Sequence, residues 1–272
     1  MTKPKVSIVM ITYGHESFLE EAINGVLMQE CDFDIELILA NDKSPDNSHQ
    51  VIDKILKNHT RACSIKYIHR EVNMGMMPNF IDALNQCSGE YVALCEGDDY
   101  WTDVFKLQKQ ITLLDANPTY SFCFHETNVT YENGQTPDYL FSKHIYGRNL
   151  FDIRDLLKTE WFVATASMVY RRKMLEIPEF FKDVLNGDFS LQLILANQGP
   201  FYFMPDNMAV YRRNDGSVSA NLKILTVYEK QIELLKSFNA YFNFKYNWVF
   251  QERILKIKLR ILKYKIFKFV RN

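Results

Sequence analysis

The stretch Tyr91-Val92-Ala93-Leu94-Cys95-Glu96-Gly97-Asp98-Asp99-Tyr100-Trp101 sets an apolar run directly against three acidic side chains within four residues. Tyr91–Leu94 reads as a buried strand, and the acids as its C-terminal end. Carboxylates clustered there repel one another and cost desolvation unless a cation or a polar ligand sits among them. In open α/β sheets, ligands bind just beyond the carboxyl ends of the strands. The simplest occupant is a hard divalent cation, Mg²⁺ or Mn²⁺, bridging to a phosphate, because both favour carboxylate and phosphate oxygens. Taken alone, Gly97-Asp98-Asp99 also fits a solvated acidic turn, so the rest of the chain has to decide.

Outward from this stretch, the first half alternates short apolar runs with amphipathic ones. Val6–Thr12 reads as a strand and 16–29 as a helix with Phe18, Ala22, Val26 and Leu27 on one face. Residues 35–40 form a second strand, followed by a polar turn and a helix near 49–57. Ile65–His69 is a third strand and 78–87 a short helix with Pro78 near its first turn. After Tyr91–Leu94 comes a helix over 103–115 that buries Leu107, Ile111 and Leu114. Four strand–helix units of this length predict an α/β fold with a mostly parallel, doubly wound central sheet flanked by helices. Further on, 121–130, 164–170 and 201–204 read as strands and 188–197 as a helix. From 222 onward, with no Gly or Pro, the chain reads as helix almost throughout. Without a repeat or a low-complexity linker, the one boundary falls near Ser219. It sets a domain of residues 1–219 against a C-terminal helical extension, 220–272.

The chain of 272 residues is 47% apolar and 24% charged, values that suit a globular protein with a substantial core. Its formal charge of −1 hides an asymmetry: residues 250–272 carry eight Lys/Arg against one Glu. The remainder holds 24 basic and 32 acidic groups, so an acidic body is joined to a basic tail. That argues against nucleic acid as the main partner and points the tail toward an anionic surface. Five cysteines, odd in number, widely spaced and without a C-x-x-C pair, suit buried free thiols in a reducing cytoplasm. No signal-peptide core precedes the first strand, and no uninterrupted apolar stretch is long enough to span a membrane. A cytoplasmic protein is expected.

Four polar clusters fall at strand ends. Thr12-Tyr13-Gly14-His15 ends the first strand, and Asn41-Asp42-Lys43-Ser44-Pro45-Asp46 the second. Asn73-Met74-Gly75 follows the third, and Glu96-Gly97-Asp98-Asp99 the fourth. Together they suit a nucleoside diphosphate. Tyr13 would cover a base, Asp42 would accept from a base N–H or a ribose hydroxyl, and glycine would permit close approach. The acid pair would bridge pyrophosphate through a cation. Neither G-x-G-x-x-G nor G-x-x-x-x-G-K-[ST] is present, so a dinucleotide fold and a P-loop are both unsupported.

These segments, with 37–44 and Ser88-Gly89-Glu90-Tyr91, resemble the family 2 glycosyltransferases of GT-A (Rossmann-like) fold over about the first 220 residues. Asn41-Asp42-Lys43-Ser44 stands where that family usually has Asp-Asp-Gly-Ser, and Glu96-Gly97-Asp98 where it has its Asp-x-Asp metal motif. The Glu-Gly-Asp-Asp-Tyr-Trp form resembles bacterial members that build surface polysaccharides. The resemblance implies inverting transfer from a nucleotide-sugar, usually with Mg²⁺ or Mn²⁺, to a saccharide or lipid-linked acceptor. It implies donor-nucleotide contacts from Thr12, Tyr13, Asp42, Asn73 and Gly75. Asp98 would hold the metal, assisted by Glu96 or Asp99.

An inverting mechanism also needs a general base for the acceptor hydroxyl. The family's position for it matches Asp188 in Asn186-Gly187-Asp188-Phe189. From the residues alone, Asp188 follows a Gly turn and precedes the apolar segment 191–195, which equally suits a helix cap. Asp183 and Asp206 are its rivals. The segment 164–172 resembles a strand that carries small hydroxyl residues, Thr165 and Ser167, past the donor sugar. Residues 211–219 resemble the loop that closes over the diphosphate, with Asn214 where many relatives have His. Trp101 and Trp161 are candidate sugar platforms, with ordinary packing as the alternative. None of the six histidines pairs with another convincingly enough to suggest a metal site.

In the tail, Leu255, Leu259, Leu262, Ile266 and Phe269 repeat at helical spacing among Lys256, Lys258, Arg260, Lys263, Lys265 and Lys268. Such a helix suits an anionic membrane face, docking on the catalytic domain, or a homodimer seam. Two other functions stay in view: a non-catalytic nucleotide-sugar-binding partner of a transferase, and a nucleotidyltransferase. The latter normally has a basic Gly-rich loop after the first strand, absent from 12–16.

Overall fold

The computed structural model describes residues 3–132, 136–159, 161–213 and 224–271. Its strands are β1 (Val6–Thr12), β2 (Ile35–Asn41), β3 (Ile65–His69), β4 (Tyr91–Leu94) and β5 (Tyr100–Trp101). They continue as β6 (Phe122–Tyr131), β7 (Tyr139–Leu140), β8 (Leu150–Phe151), β9 (Val169–Arg171) and β10 (Phe201–Arg213). The helices are α1 (Leu19–Leu27), α2 (Ser48–Asn58), α3 (Met76–Asn85) and α4 (Lys106–Ala116). Later come α5 (Ile153–Lys158), α6 (Gly187–Gln198), α7 (Ile224–Tyr241) and α8 (Asn247–Arg271).

One sheet runs β3-β2-β1-β4-β9-β6-β10-β5, with β7 on β6 and β8 on β10. The first four strands pair in parallel. β1, β2 and β4, covered on both faces, are mostly buried and largely apolar, whereas the edge strand β3 is only partly covered. Val6, Ile8, Val9 and Met10 of β1 are all buried. One face packs against α1, α2 and α4 through Ile23, Val26, Ile52, Leu107 and Ile111. The other packs against α3, α6 and the C-terminal helices through Ala83, Leu191, Leu195, Phe238 and Ile254. The register sets Thr12 opposite Asn41 and Asn41 opposite His69. The polar segments that follow therefore emerge along one edge, as the strand order requires.

Beyond β4 the sheet becomes mixed. The strand expected over 164–170 is a 3-10 turn, Thr165–Ser167, followed by three residues of β9, antiparallel to both β4 and β6. The short strand expected at 201–204 opens a 13-residue strand, β10, that lies parallel to β6. The expected continuous C-terminal helix is two helices. The chain turns between them through Asn243 and Phe244, both at positive φ. The boundary expected near Ser219 lies outside the described residues. Leu234, Leu235, Phe238, Val249 and Phe250 of α7 and α8 share the apolar cluster of Phe181 and Leu191. Of the cysteines expected to be buried, Cys63 is exposed and Cys31 half-buried.

Candidate active site

At the end of β2, Asp42 is 3% exposed and held by its neighbours on both sides. Its N–H donates to the Thr12 carbonyl at 3.0 Å, which ties the end of β2 to that of β1. Its carboxylate accepts from the Met74 N–H at 2.7 Å and the Gly75 N–H at 2.9 Å. Asn73 closes the clasp, its Nδ2 donating to the Asp42 carbonyl at 3.1 Å. Gly75 sits at φ +88°, a conformation that favours glycine, so the clasp can lead straight into α3. Each oxygen keeps a lone pair for a further donor. Tyr13, half-exposed, and Asn73, exposed, are the accessible members of this group. Lys43, next to Asp42, lies at φ +61°, where the related motif has glycine.

The end of β4 is built differently. The Gly97 N–H donates to the Ile11 carbonyl at 3.1 Å. A Cβ on Gly97 would come within 2.8 Å of Thr12 Oγ1 and 3.0 Å of His15 Nδ1, so only glycine lets the acid turn approach β1 this closely. Both of those atoms are buried without a hydrogen-bond partner. Asp98 Oδ2 lies 3.8 Å from His15 Nε2. Asp99 is buried, and its Oδ1 accepts from the Arg212 N–H at 3.0 Å. Arg212 Nη1 donates to the Asp98 carbonyl at 2.9 Å, its guanidinium lies 4.2 Å over the Tyr100 ring, and its Nη2 pairs with Glu21. Burial first, then the charges of Asp98 and Glu96, pushes Asp99 well above the usual carboxylate range, against the pull of Arg212. Glu96 is pushed up by burial and then by Asp98 and Asp188.

Asp188 thus lies near enough to act on the acid turn. It is the second residue of α6, where the helix dipole favours an anion. Its Oδ1 accepts from the Phe189 N–H at 2.7 Å, a contact of the capping kind, and the Thr165 hydroxyl also bonds to it. Burial outweighs both and raises its pKa to about 6. Asp183 is exposed at the end of a 3-10 turn, and Asp206 faces Lys109 at 3.4 Å. Neither rival is seen to act on the acid turn.

Two expected contacts are corrected. Trp101 is 1% exposed, donates from Nε1 to the Ala166 carbonyl at 2.9 Å and carries Lys106 Nζ over its ring. A ring buried in that way offers no face to a sugar. Ser167 is also buried, its hydroxyl donating to the Ala164 carbonyl at 2.6 Å. Trp161, by contrast, is exposed and lines a cleft with Asn186, Phe189, Gln231, Arg253 and Ile257. Of the expected diphosphate loop, Tyr211–Arg213 end β10, and 214–219, Asn214 among them, lie outside the described residues. Sequence reasoning placed His15, Tyr211 and Arg212 in site segments but gave none of them an individual role; the Tyr211 hydroxyl is pushed up by burial and by Asp99, Glu96 and Asp98.

A divalent cation fits this donor set. Hard oxygens are crowded enough to raise one another's pKa, and the buried Thr12 hydroxyl beside them has no partner. Among the described residues, no three His, Cys, Asp or Glu side chains form a ready metal cage.

The fold is that of the GT-A class. The chain belongs to the family described as Glycosyl transferase family 2, whose sequence model matches residues 7–177. An uncharacterised protein of Mycobacterium tuberculosis is 38% identical over 211 residues, covering 77% of this chain. The chain spans 59% of the length of that relative. The GalNAc(5)-diNAcBac-PP-undecaprenol beta-1,3-glucosyltransferase of Campylobacter jejuni is 25% identical over 241 residues, covering 86% of this chain and 74% of its own. Among solved structures, S. aureus TarS (residues 1–349) in complex with UDP-GlcNAc superposes with a TM-score of 0.63 at 18% identity. That match covers 85% of this chain and 65% of the 1–349 fragment.

Proposed function

We propose that this chain is an inverting glycosyltransferase of surface polysaccharide synthesis. It would move a hexosyl or N-acetylhexosaminyl group from a nucleoside-diphosphate-sugar, with UDP the favoured nucleotide, to a hydroxyl of a saccharide or lipid-linked saccharide. Residues 1–219 would form the catalytic domain and 220–272 the helical extension. The reading rests above all on one observation: Asp188, held at the start of α6 by the Phe189 N–H and the Thr165 hydroxyl, lies close enough to the acid turn to raise Glu96. The UDP-GlcNAc complex of TarS and the undecaprenol-linked substrate in the name of the Campylobacter relative support the donor and acceptor classes.

On the donor side, Asp42 would accept from the base or ribose while its clasp fixes the Asn73–Gly75 loop, Tyr13 would cover the base, and Thr12 would sit below it. Asp98, assisted by Glu96 or Asp99, would hold Mn²⁺ or Mg²⁺. When bound, the cation would neutralise charge on the departing diphosphate. Asp188 is mostly ionised at neutral pH yet more basic than an ordinary carboxylate, the balance a general base needs. It removes the acceptor hydroxyl proton as that oxygen bonds to the anomeric carbon. The bond to the diphosphate breaks on the opposite face, and the diphosphate leaves with the electron pair. An α-linked donor therefore gives a β-linked product. Thr165 holds the Asp188 carboxylate, and Trp161 offers an exposed ring to the acceptor.

A screen of nucleotide-sugars scored by nucleotide release, with membrane extract as acceptor source, tests this reading. Release with one donor, dependent on extract and on Asp188, is expected. Tight nucleotide-sugar binding without release from any donor would leave a non-catalytic binding partner instead.

A further inference from the structure

We propose that the outward face of α8 is a docking surface for an anionic lipid bilayer, on which the helix lies flat. The helix carries two apolar stripes. Phe250, Ile254 and Ile257 are buried against the body of the protein, with Ile261 partly so. Trp248, Leu255, Leu259, Leu262 and Ile266 are 59%, 57%, 49%, 53% and 55% exposed. At about 100° per residue, these five fall within an arc of about 60°, and the buried set faces the other way. Phe269, which continues the outer stripe in sequence, lies outside the described side chains.

The charges identify the occupant. Lys256 and Lys263 lie about 60–80° to one side of the outer stripe, and Lys258 and Lys265 about 80–100° to the other. Between Asn247 and Ile266 the only acid is Glu252, which pairs with Lys256 at 2.7 Å. An apolar stripe with lysines along both edges matches a helix at a headgroup boundary, its ammonium groups reaching out to lipid phosphates. The same spacing would suit a helix–helix seam. In a seam between two copies, however, lysine rows would flank the contact on both sides with almost no acid to meet them. Among the described residues, no helix is long and apolar enough to cross a membrane, so α8 would lie on the surface.

The inner side of the same helix contributes Arg253 and Ile257 to the cleft shared with Trp161, Asn186 and Phe189. If the transferase reading of Asp188 holds, on which this consequence rests, docking would hold that cleft at the surface where a lipid-linked acceptor presents its hydroxyl.

The test is co-sedimentation of the full chain with phosphatidylcholine vesicles, with and without phosphatidylglycerol. It contains neither donor nor acceptor, so its outcome is independent of the transferase reading. The chain should bind the phosphatidylglycerol vesicles, and added salt should weaken binding. The double variant Lys258→Glu/Lys265→Glu should bind about thirtyfold more weakly or worse, at the usual strength of a lysine near an anionic surface. Leu259→Gln/Leu262→Gln should also lose binding. All four side chains are exposed, so circular dichroism and melting temperature should stay unchanged. Equal binding by the variants, or none by the parent chain, would overturn the proposal. So would a dimer in light scattering that Leu259→Gln/Leu262→Gln makes monomeric in the absence of vesicle binding, since the stripe would then be a subunit seam.

Discussion

Two strand ends on either side of β1 hold carboxylates in opposite ways. Asp42, after β2, receives two backbone N–H groups from the Asn73–Gly75 loop, so its charge is met by the chain itself. Glu96 and Asp99, after β4, are raised by burial and by neighbouring acids, and the Thr12 hydroxyl beside them is left without a partner. The first arrangement fixes the shape of a loop. The second keeps a cost that a bound cation and diphosphate would relieve. A carboxylate satisfied by its own backbone shapes a site, and carboxylates in mutual conflict mark where the ligand's charge belongs.

The largest effect should come from the conflicted cluster. Asp98→Asn, or an excess of chelator, should lower transfer by about 10³-fold or more with the fold intact, the scale of losing charge stabilisation at a leaving group. Full activity in chelator would erase the distinction between the two strand ends.

Stability should separate them next. Asp42→Ala removes a buried acceptor of two N–H bonds and should cost about 2–3 kcal/mol while raising the donor KM. Glu96→Gln should do the reverse and stabilise the metal-free protein at neutral pH. The sign follows from linkage. The folded state holds the Glu96 proton more tightly, with a pKa of about 8, so this group's contribution is largest in acid and is lost as pH rises through that value. Melting curves of the metal-free protein from pH 5 to 8 should therefore fall more steeply for the parent than for Glu96→Gln. Parallel curves would mean that the cluster carries no stored conflict.

The smallest effect lies beside the satisfied carboxylate. Lys43 at φ +61° is strained as a non-glycine residue. Lys43→Gly should gain about 0.5–1 kcal/mol, the left-handed cost less the extra freedom of glycine in the unfolded chain. A clear loss of stability in denaturant melts would show that the lysine side chain holds something there.

Much of the N-terminal half was legible in the sequence because its information is local. Buried parallel strands are written as apolar runs, and the polar segments that follow them must emerge at one edge. The second half is written in long-range pairs. Met204-Pro205-Asp206-Asn207 reads as a turn, yet β10 passes through it by shifting register against β6. Arg212 meets Asp99 across 113 residues, a pairing that periodicity cannot express. Trp101 follows the acid motif as a platform might, but the two-residue strand β5 turns it inward to the Ala166 carbonyl. The basic stripe of α8 was legible. That its outward face is separate from a second, buried one was not, because both faces are apolar.

The central claim is that Asp188 supplies the base while the acids after β4 would hold the cation that meets the leaving diphosphate. Turnover of the parent chain and of Asp188→Asn, measured from pH 5 to 8 alongside donor affinity by calorimetry, tests it most directly. The parent's kcat should rise with pH through about 6, where the raised carboxyl loses its proton. Asp188→Asn should lose about 10²-fold or more in kcat, lack that rise and bind donor as before. An Asp188→Asn enzyme that turns over normally, while Asp183→Asn is dead, would contradict the account.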